Sequence, residues 1–174
     1  MSFTMARRVR AVKDANYDEQ RAWRYLLWLV GRRDYTRQQL QSKLREKSVI
    51  GKMSERLLDE LERLNFIDDL RFAERYVAQR QHKKGVHALR RELLRKGIAS
   101  ELVENSLHHL DESSQLHSAA EVLSSYSYRL KAEDGVAKNR AKAYGVLTRR
   151  GFPGSIVQAV LEQTPMFDDD SNDT

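Results

Sequence analysis

Cysteine is absent from this chain of 174 residues, and proline (two residues) and glycine (eight residues) are scarce. Without cysteine, the protein has neither disulfide bonds nor thiolate metal ligands, which is typical of a reducing, intracellular compartment. The longest apolar run, residues 26–30, is much shorter than the about 20 residues that a membrane-spanning helix requires. No apolar block follows the basic residues near the N-terminus, so no signal peptide is predicted. We therefore expect a cytoplasmic protein that does not enter the membrane.

Motifs of catalytic chemistry are also missing. The sequence contains neither the Gly-x-x-x-x-Gly-Lys-Ser/Thr loop that binds phosphates nor the His-Glu-x-x-His pattern of zinc enzymes. No two histidines are four residues apart, the spacing that places two imidazoles on one helix face. We interpret all five as surface residues: His82, His87, His108, His109 and His117.

The adjacent acids Asp68 and Asp69 are the one place where a metal or acid–base site could be suspected. They precede an apolar helical pattern, however, and Phe66 and Ile67 stand before them as in a hydrophobic staple. Capping of a helix N-terminus is therefore favoured. We expect no enzymatic activity, no catalytic residue, no metal and no cofactor.

Apolar residues recur with the helical period of 3.6 along the whole chain, which predicts an all-α protein. Thr36 opens a Thr-x-x-Gln sequence that is typical of a capping box, and Ser54 and Ser100 are predicted N-caps. Leu64 is expected on the apolar face of the helix that follows Ser54. The helices of the first two thirds of the chain are predicted to begin at Glu19, Thr36, Ser54, Asp69, Gly85 and Ser100.

The aromatic residues divide into two predicted groups. Five occur at helical spacing among aliphatic residues and are expected in the core: Trp23, Trp28, Phe72, Tyr76 and Phe152. Four tyrosines are less clearly buried and, where exposed, could stack on nucleic-acid bases: Tyr35, Tyr126, Tyr128 and Tyr144.

The helical pattern repeats along the chain. A shift of 54 residues superposes Gly97 and Ile98 on Gly151 and Phe152, together with apolar residues on either side. A shift of 49 places Ser48 on Gly97. Gly97 is predicted at the left-handed C′ position of a helix, with Ile98 as its hydrophobic contact. We predict three tandem three-helix repeats in an elongated array, straight or curved. The predicted segments are an N-terminal arm 1–19, repeats 20–68, 69–114 and 115–164, and an acidic tail 165–174.

Charge alternates with the same period. The chain has a formal net charge of +6, yet residues 70–96 alone hold nine basic and two acidic residues. Residues 21–47 and 129–150 are also basic, whereas residues 53–69, 101–121 and 151–174 are acidic. The charges could pair within the molecule or simply lie on helix faces that are exposed to solvent. If the repeats stack in one orientation, their basic faces would instead form a stripe for a partner with regularly spaced negative charge.

The candidate binding residues are the basic residues of these segments. Glu92 lies among Arg90, Arg91, Arg95 and Lys96 and is predicted to form local salt bridges. The full set of candidates is Arg32, Arg33, Arg37, Arg75, Arg80, Lys83, Lys84, Arg90, Arg91, Arg95, Lys96, Lys138, Arg140 and Lys142.

Three stretches of the sequence carry a resemblance to a known family. Residues 64–77, Leu-Asn-Phe-Ile-Asp-Asp-Leu-Arg-Phe-Ala-Glu-Arg-Tyr-Val, resemble the join between helical units in the RecX family of bacterial recombination regulators. Residues 84–85, Lys-Gly, with 89–98, Leu-Arg-Arg-Glu-Leu-Leu-Arg-Lys-Gly-Ile, and residues 33–36, Arg-Asp-Tyr-Thr, are similar to that family as well. The likeness spans residues 20–163. Ser48 in place of glycine, the arm and the tail depart from the pattern.

The resemblance implies tandem three-helix repeats and a cytoplasmic, non-enzymatic protein that binds the RecA recombinase. Members of the family lie in the groove of the RecA filament on single-stranded DNA, and they block its extension or promote its disassembly. The expected function is thus a mainly negative regulation of recombination, DNA repair and the SOS response. The expected partners are the RecA filament and single-stranded DNA, with double-stranded DNA as a further candidate, and we expect a monomer.

One alternative from another class stays open. The chain could be a free-standing DNA-binding protein of the helix-turn-helix or architectural type, using a three-helix unit to reach the duplex. Affinity for bare DNA compared with RecA-coated DNA would separate the two hypotheses.

Overall fold

The computed structural model describes residues 18–167, and within this range the regular elements are helices and no strand is present. The all-α prediction is confirmed. The α-helices of the described range are α1 (Glu19–Val30), α2 (Arg37–Glu46), α3 (Lys52–Arg63), α4 (Asp69–Ala78), α5 (Val86–Arg95), α6 (Ser100–Leu107), α7 (Glu112–Tyr126), α8 (Gly135–Arg149) and α9 (Gly154–Glu162). Short 3₁₀ helices cover Ser127–Arg129, Ala132–Asp134 and Pro165–Phe167. Most of the predicted arm and residues 168–174 of the predicted tail lie outside the described residues.

The described residues form two compact units. The first holds residues 18–72 and 96–98, and the second holds residues 73–95 and 99–167. These units group helices by their contacts and not by sequence repetition. The three repeats, their boundaries and their elongated arrangement therefore stay predictions.

The core of the first unit is built from leucines on three helices. Leu26 of α1, Leu40 and Leu44 of α2, and Leu58 and Leu61 of α3 are fully buried. Burial of each such side chain contributes about 1.5–3 kcal/mol of transfer free energy. Their spacing of three and four residues places them on one face of each helix, as the sequence predicts.

Two predictions about α3 are wrong. The helix begins at Lys52 after Gly51, whose φ is 64°, and not at Ser54. Ser54 lies on the inner face of the first turn, where it is buried, so its small size and not capping explains its place. Leu64, predicted on the apolar face, is 41% exposed because it follows the last helical residue.

The N-terminus of α2 joins three segments of the first unit. The capping box is confirmed: the Gln39 backbone N–H donates to Thr36 Oγ1 (3.2 Å), and the Thr36 backbone N–H donates to Gln39 Oε1 (3.4 Å). Thr36 Oγ1 in turn donates to the carbonyl oxygen of Lys96 at 2.6 Å. The backbone N–H of Arg37 donates to Asp69 Oδ1 at 2.9 Å. One buried threonine thus completes a helix cap and holds a distant segment of the chain.

Of the two predicted capping acids, Asp68 caps the helix that it precedes, as predicted, whereas Asp69 serves the N-terminus of a different helix. Asp68 Oδ1 accepts a hydrogen bond from the backbone N–H of Arg71 at 2.9 Å, in the first turn of α4. Asp69 caps α2 through Arg37 as described above. Of the two predicted staple residues, Ile67 is buried, whereas Phe66 is 49% exposed.

In the second unit, the start of α5 packs so closely against the end of α8 that the two backbones form hydrogen bonds. The Gly85 N–H donates to the carbonyl oxygen of Arg150 (2.9 Å), and the His87 N–H donates to that of Gly151 (3.0 Å). A Cβ atom at Gly151 would lie 2.3 Å from the backbone nitrogen of Ala88. Glycine is therefore required at both sides of this contact.

The left-handed C′ position predicted at Gly97 is confirmed, with a φ of 82°, and Ile98 after it is buried. Gly151 has the same φ of 82°, and Ser48 has a φ of 61°. The three positions that align in the repeat comparison, Ser48, Gly97 and Gly151, thus share one backbone conformation. Ser48 adopts it without the freedom of glycine, at a cost of about 1–2 kcal/mol.

The remaining predictions about helix ends and aromatics have mixed outcomes. Ser100 is the first residue of α6, and its N-cap is the extended Ala99. Phe152 is buried as predicted. Trp28 is 52% exposed because it lies on the outer face of α1, where it stacks on Tyr25 at 6.2 Å between ring centroids. Trp23 is half-buried and packs against the core of the first unit, whereas Phe72 and Tyr76 are half-buried.

Candidate binding surface

Arg37, a predicted binding residue of the first unit, is held by the acidic helix α3. Its guanidinium lies 2.8 Å from Glu55, 2.7 Å from Asp59 and 2.7 Å from Glu62. Burial opposes the charge of Arg37, but the three carboxylates outweigh burial and raise its pKa. Arg37 therefore fastens α2 to α3, and its charge is neutralised within the molecule.

The other candidates of the first unit lie over aromatic rings. The guanidinium of Arg32 is 4.3 Å from the ring centroid of Trp28, and that of Arg33 is 3.9 Å from the ring of Tyr35. Lys96 Nζ lies 5.7 Å from the ring of Phe72. Such contacts orient each cation against the face of a ring, which attracts positive charge.

Lys84 is paired with Glu92 in the second unit. The ammonium of Lys84 lies 2.5 Å from Glu92 Oε1, and the hydroxyl of Tyr76 donates to Glu92 Oε2 at 2.7 Å. Burial opposes the charge of Glu92, but these hydrogen bonds prevail and lower its pKa. The predicted local salt bridges of Glu92 with the basic residues around it are only partly confirmed, because its ion pair is with Lys84, eight residues away, while the charge of Arg95 also lowers its pKa. The carboxylate turns inward to Lys84 and Tyr76, which the fold brings beside it.

Three further candidates are also neutralised. Arg90 forms two hydrogen bonds of 2.7 Å with Glu104, which raise the pKa of the arginine. Lys138 and Lys142 both pair with Asp134, and these hydrogen bonds lower the pKa of Asp134 to about 2. These cations are part of the fold and are poorly placed to bind a partner without breaking an internal ion pair.

Arg91 and Arg95 differ from these residues. They lie one turn apart on α5, both are exposed, and neither forms an ion pair with a carboxylate within 4 Å in residues 18–167. Leu94, between them, is 44% exposed. We call Arg91, Leu94 and Arg95 the α5 face.

The other candidates of the second unit differ in their exposure. Lys83 and Arg75 are exposed, and Arg140 is half-buried on α8. Arg80 lies 3.9 Å above the ring of Tyr76, a distance typical of a cation–π contact. Of these candidates, the pair best suited to an external anion is Arg91 and Arg95 of α5.

Sequence reasoning missed Arg129, Arg149 and Arg150 as candidates. All three are exposed, and they line a concave region near the end of α8. The signal was present, because these residues belong to the basic segment 129–150. The candidates predicted from that segment are Lys138, Arg140 and Lys142, and two of them, Lys138 and Lys142, are ion-paired.

Within the described range, no three histidine or acidic side chains gather closely enough to hold a metal ion. No helix in residues 18–167 is both long and apolar enough to cross a membrane.

Known proteins resemble this chain over most of its length. The family described as RecX, second three-helix domain, matches residues 68–107. The regulatory protein RecX of Chlorobium phaeobacteroides is 31% identical over 151 residues, which cover 86% of this chain and 97% of that protein. The regulatory protein RecX of Mycolicibacterium smegmatis is 32% identical, with coverage of 86% and 82%.

Two crystal structures share the fold. The structure of RecX from Lactobacillus salivarius has a TM-score of 0.75 and 20% sequence identity, and the match covers 83% of this chain and 94% of that one. A second structure, of a regulatory protein RecX, has a TM-score of 0.76 and 22% identity, with coverage of 89% and 78%. At this level of identity the likeness concerns the fold alone.

Proposed function

The chain belongs to the RecX family of regulatory proteins, and from this membership we propose that it regulates the RecA recombinase by binding the RecA filament on single-stranded DNA. The regulation is mainly negative. Bound protein blocks filament extension or promotes disassembly, which dampens recombination, DNA repair and the SOS response. The protein acts in the cytoplasm as a monomer, by binding and not by catalysis.

The observation that carries the binding part of this proposal is the α5 face. Arg91 and Arg95 project into solvent four residues apart, and two carboxylates near them in sequence, Glu92 and Glu104, are occupied by Lys84 and Arg90. Removing these two arginines from water therefore costs no internal ion pair. They suit the acidic groups of RecA or the DNA phosphates that the filament holds.

The test is the double charge reversal Arg91→Glu with Arg95→Glu, measured as binding to preformed RecA filaments across a range of salt. Because both side chains are exposed, each change should alter the free energy of unfolding by only about 0.5 kcal/mol. Filament binding should weaken at least about tenfold, which corresponds to about 1.4 kcal/mol of binding free energy.

The matched control is Lys52→Glu with Arg56→Glu. These residues are also four apart, exposed and on one helix, α3, and the change lowers the net charge by the same amount. Arg56 loses only an exposed pair with Glu19, which contributes little. The control should bind filaments as the unmodified protein does. Equal binding by a folded α5 variant would exclude this face, and tighter binding to bare DNA than to filaments would favour the free-standing DNA-binding alternative.

A further inference from the structure

We propose that the second unit carries a separate site for single-stranded nucleic acid, in a groove formed by the end of α7, the 3₁₀ turn Ser127–Arg129, the end of α8 and the loop before α5. Arg91 and Arg95 do not line this groove. The site thus goes beyond the α5 face, and RecA is not needed to test it.

The groove consists of two adjoining depressions. The larger has a volume of about 790 Å³ and is lined by Lys83 of the loop, Glu121 of α7 and Arg150 among others. The smaller has a volume of about 390 Å³ and is lined by Tyr128, Arg129 and Arg149 among others. Val122, Ser125 and Arg150 line both, so the two form one continuous path.

The charge of the lining is strongly positive. Lys83, Arg129, Arg149 and Arg150 are exposed, and none of the four forms an ion pair with a carboxylate in the described part of the chain. This contrasts with the ion-paired lysines of the same unit. Several uncompensated cations along one concave path concentrate positive potential and attract a polyanion.

Helix dipoles account for only part of this charge. Arg149 and Arg150 stand at the C-terminal end of α8, where a cation is favoured in any helix. Lys83 and Arg129 lie outside the α-helices, so no α-helix dipole explains them. The single acid of the lining, Glu121, faces two exposed imidazoles, His82 at 3.8 Å and His117 at 3.5 Å. Four cations thus share the lining with one carboxylate.

An exposed aromatic ring favours nucleic acid over an acidic peptide. Tyr128 is 75% exposed, and its hydroxyl accepts a hydrogen bond of 2.8 Å from Arg129 Nε. The Arg129 guanidinium lies 5.3 Å from the ring centroid of Tyr128 and 5.9 Å from that of Tyr126. A ring held in water beside phosphate-binding cations suits base stacking. Because bases in a duplex are already stacked and paired, the occupant is a single strand.

The test measures affinity of the free protein for two fluorescent strands of equal length: oligothymidylate, and a strand with abasic sites in place of the bases. Tyr128→Ala should weaken thymidylate binding about fivefold or more, since stacking on one aromatic ring contributes that much. Binding of the abasic strand should not change. Tyr144→Ala is the control, because Tyr144 is exposed on α8 but does not line the groove.

A charge variant tests the cations separately. Arg129→Gln with Arg149→Gln should reduce the slope of log affinity against log salt by about 1.4, or about 0.7 for each phosphate that the variant no longer binds. Lys52→Gln with Arg56→Gln, equal in charge and exposed on α3, which does not line the groove, should keep the slope of the unmodified protein. Circular dichroism and melting confirm that each variant folds.

Three results would overturn the proposed groove. One is an equal effect of Tyr128→Ala on both strands, which would exclude stacking. Another is loss of binding in the Lys52 and Arg56 control with normal binding by the groove variants. The third is competition by polyglutamate as effective as that by the strand, which would indicate an acidic-peptide site. None of these results depends on whether the protein regulates RecA.

Discussion

At the scale of single residues, the partner of each cation decides whether it is available for binding. Lys84, Arg90 and Arg37 pair with acids eight, fourteen and more residues away in the sequence. The sequence predicts where the charges are but not these pairs, because each joins two elements whose packing sets the distance. The sequence pattern therefore groups Arg91 and Arg95 with basic neighbours that the fold neutralises.

The ion pairs of Asp134 with Lys138 and Lys142 predict that the stability of the fold depends on pH. Pairing with Lys138 and Lys142 lowers the pKa of Asp134 from 3.8 to about 2. The stabilisation is therefore complete above the pKa of the unfolded chain and is lost as the pH falls from about 4 to about 2. Asp134→Asn should melt at a lower temperature than the unmodified protein at pH 6, and the two should converge near pH 2.

Glu133→Gln is the control for this prediction. Glu133 is the adjacent acid, is exposed, and pairs only with Lys131 in the described residues. Its melting temperature should follow that of the unmodified protein at every pH. A difference between Asp134→Asn and the unmodified protein that stays constant down to pH 2 would contradict the assignment.

At the scale of helices and turns, local sequence signals were sufficient where the partner is close in the chain. The capping box at Thr36 and the left-handed Gly97 were predicted because their contacts lie within one or two turns. Ser54 failed as an N-cap because Gly51 begins the helix a turn earlier. The hydrogen bond from Thr36 to Lys96 joins residues sixty positions apart, and no local pattern indicates it.

The close contact between α5 and α8 predicts that a side chain at Gly151 destabilises the fold. Gly151→Ala should lower the free energy of unfolding by more than about 2 kcal/mol. A left-handed φ costs a residue with a Cβ about 1–2 kcal/mol, and the new atom would also overlap the backbone of Ala88. Chemical denaturation measures the difference.

Gly154→Ala is the matched control, three residues further along. A Cβ atom there would meet no atom within 4 Å, and Gly154 is the first residue of α9. This variant should be as stable as the unmodified protein or up to about 1 kcal/mol more stable. Equal stability of the two variants would contradict the close backbone contact.

At the scale of the whole molecule, periodicity and family resemblance predicted the helical class and the family. The sequence shows the alternation of basic and acidic segments, but it does not show which of these charges pair with one another. In the structure, much of it consists of internal pairing, as between Arg37 and the acids of α3. The groove that contains Arg149 and Arg150 could not be predicted, because it depends on how α7, α8 and the loop before α5 pack together.

The proposed regulation of RecA acts on its filaments and not through catalysis by this protein. The most direct measurement is the rate of DNA-dependent ATP hydrolysis by RecA, titrated with this protein from far below one molecule per RecA subunit. We expect inhibition at substoichiometric amounts, no ATP hydrolysis by the protein alone, and a weaker effect for Arg91→Glu with Arg95→Glu. Inhibition only near one molecule per RecA subunit would contradict blocked extension or disassembly, and an unchanged rate at every ratio would contradict regulation of RecA.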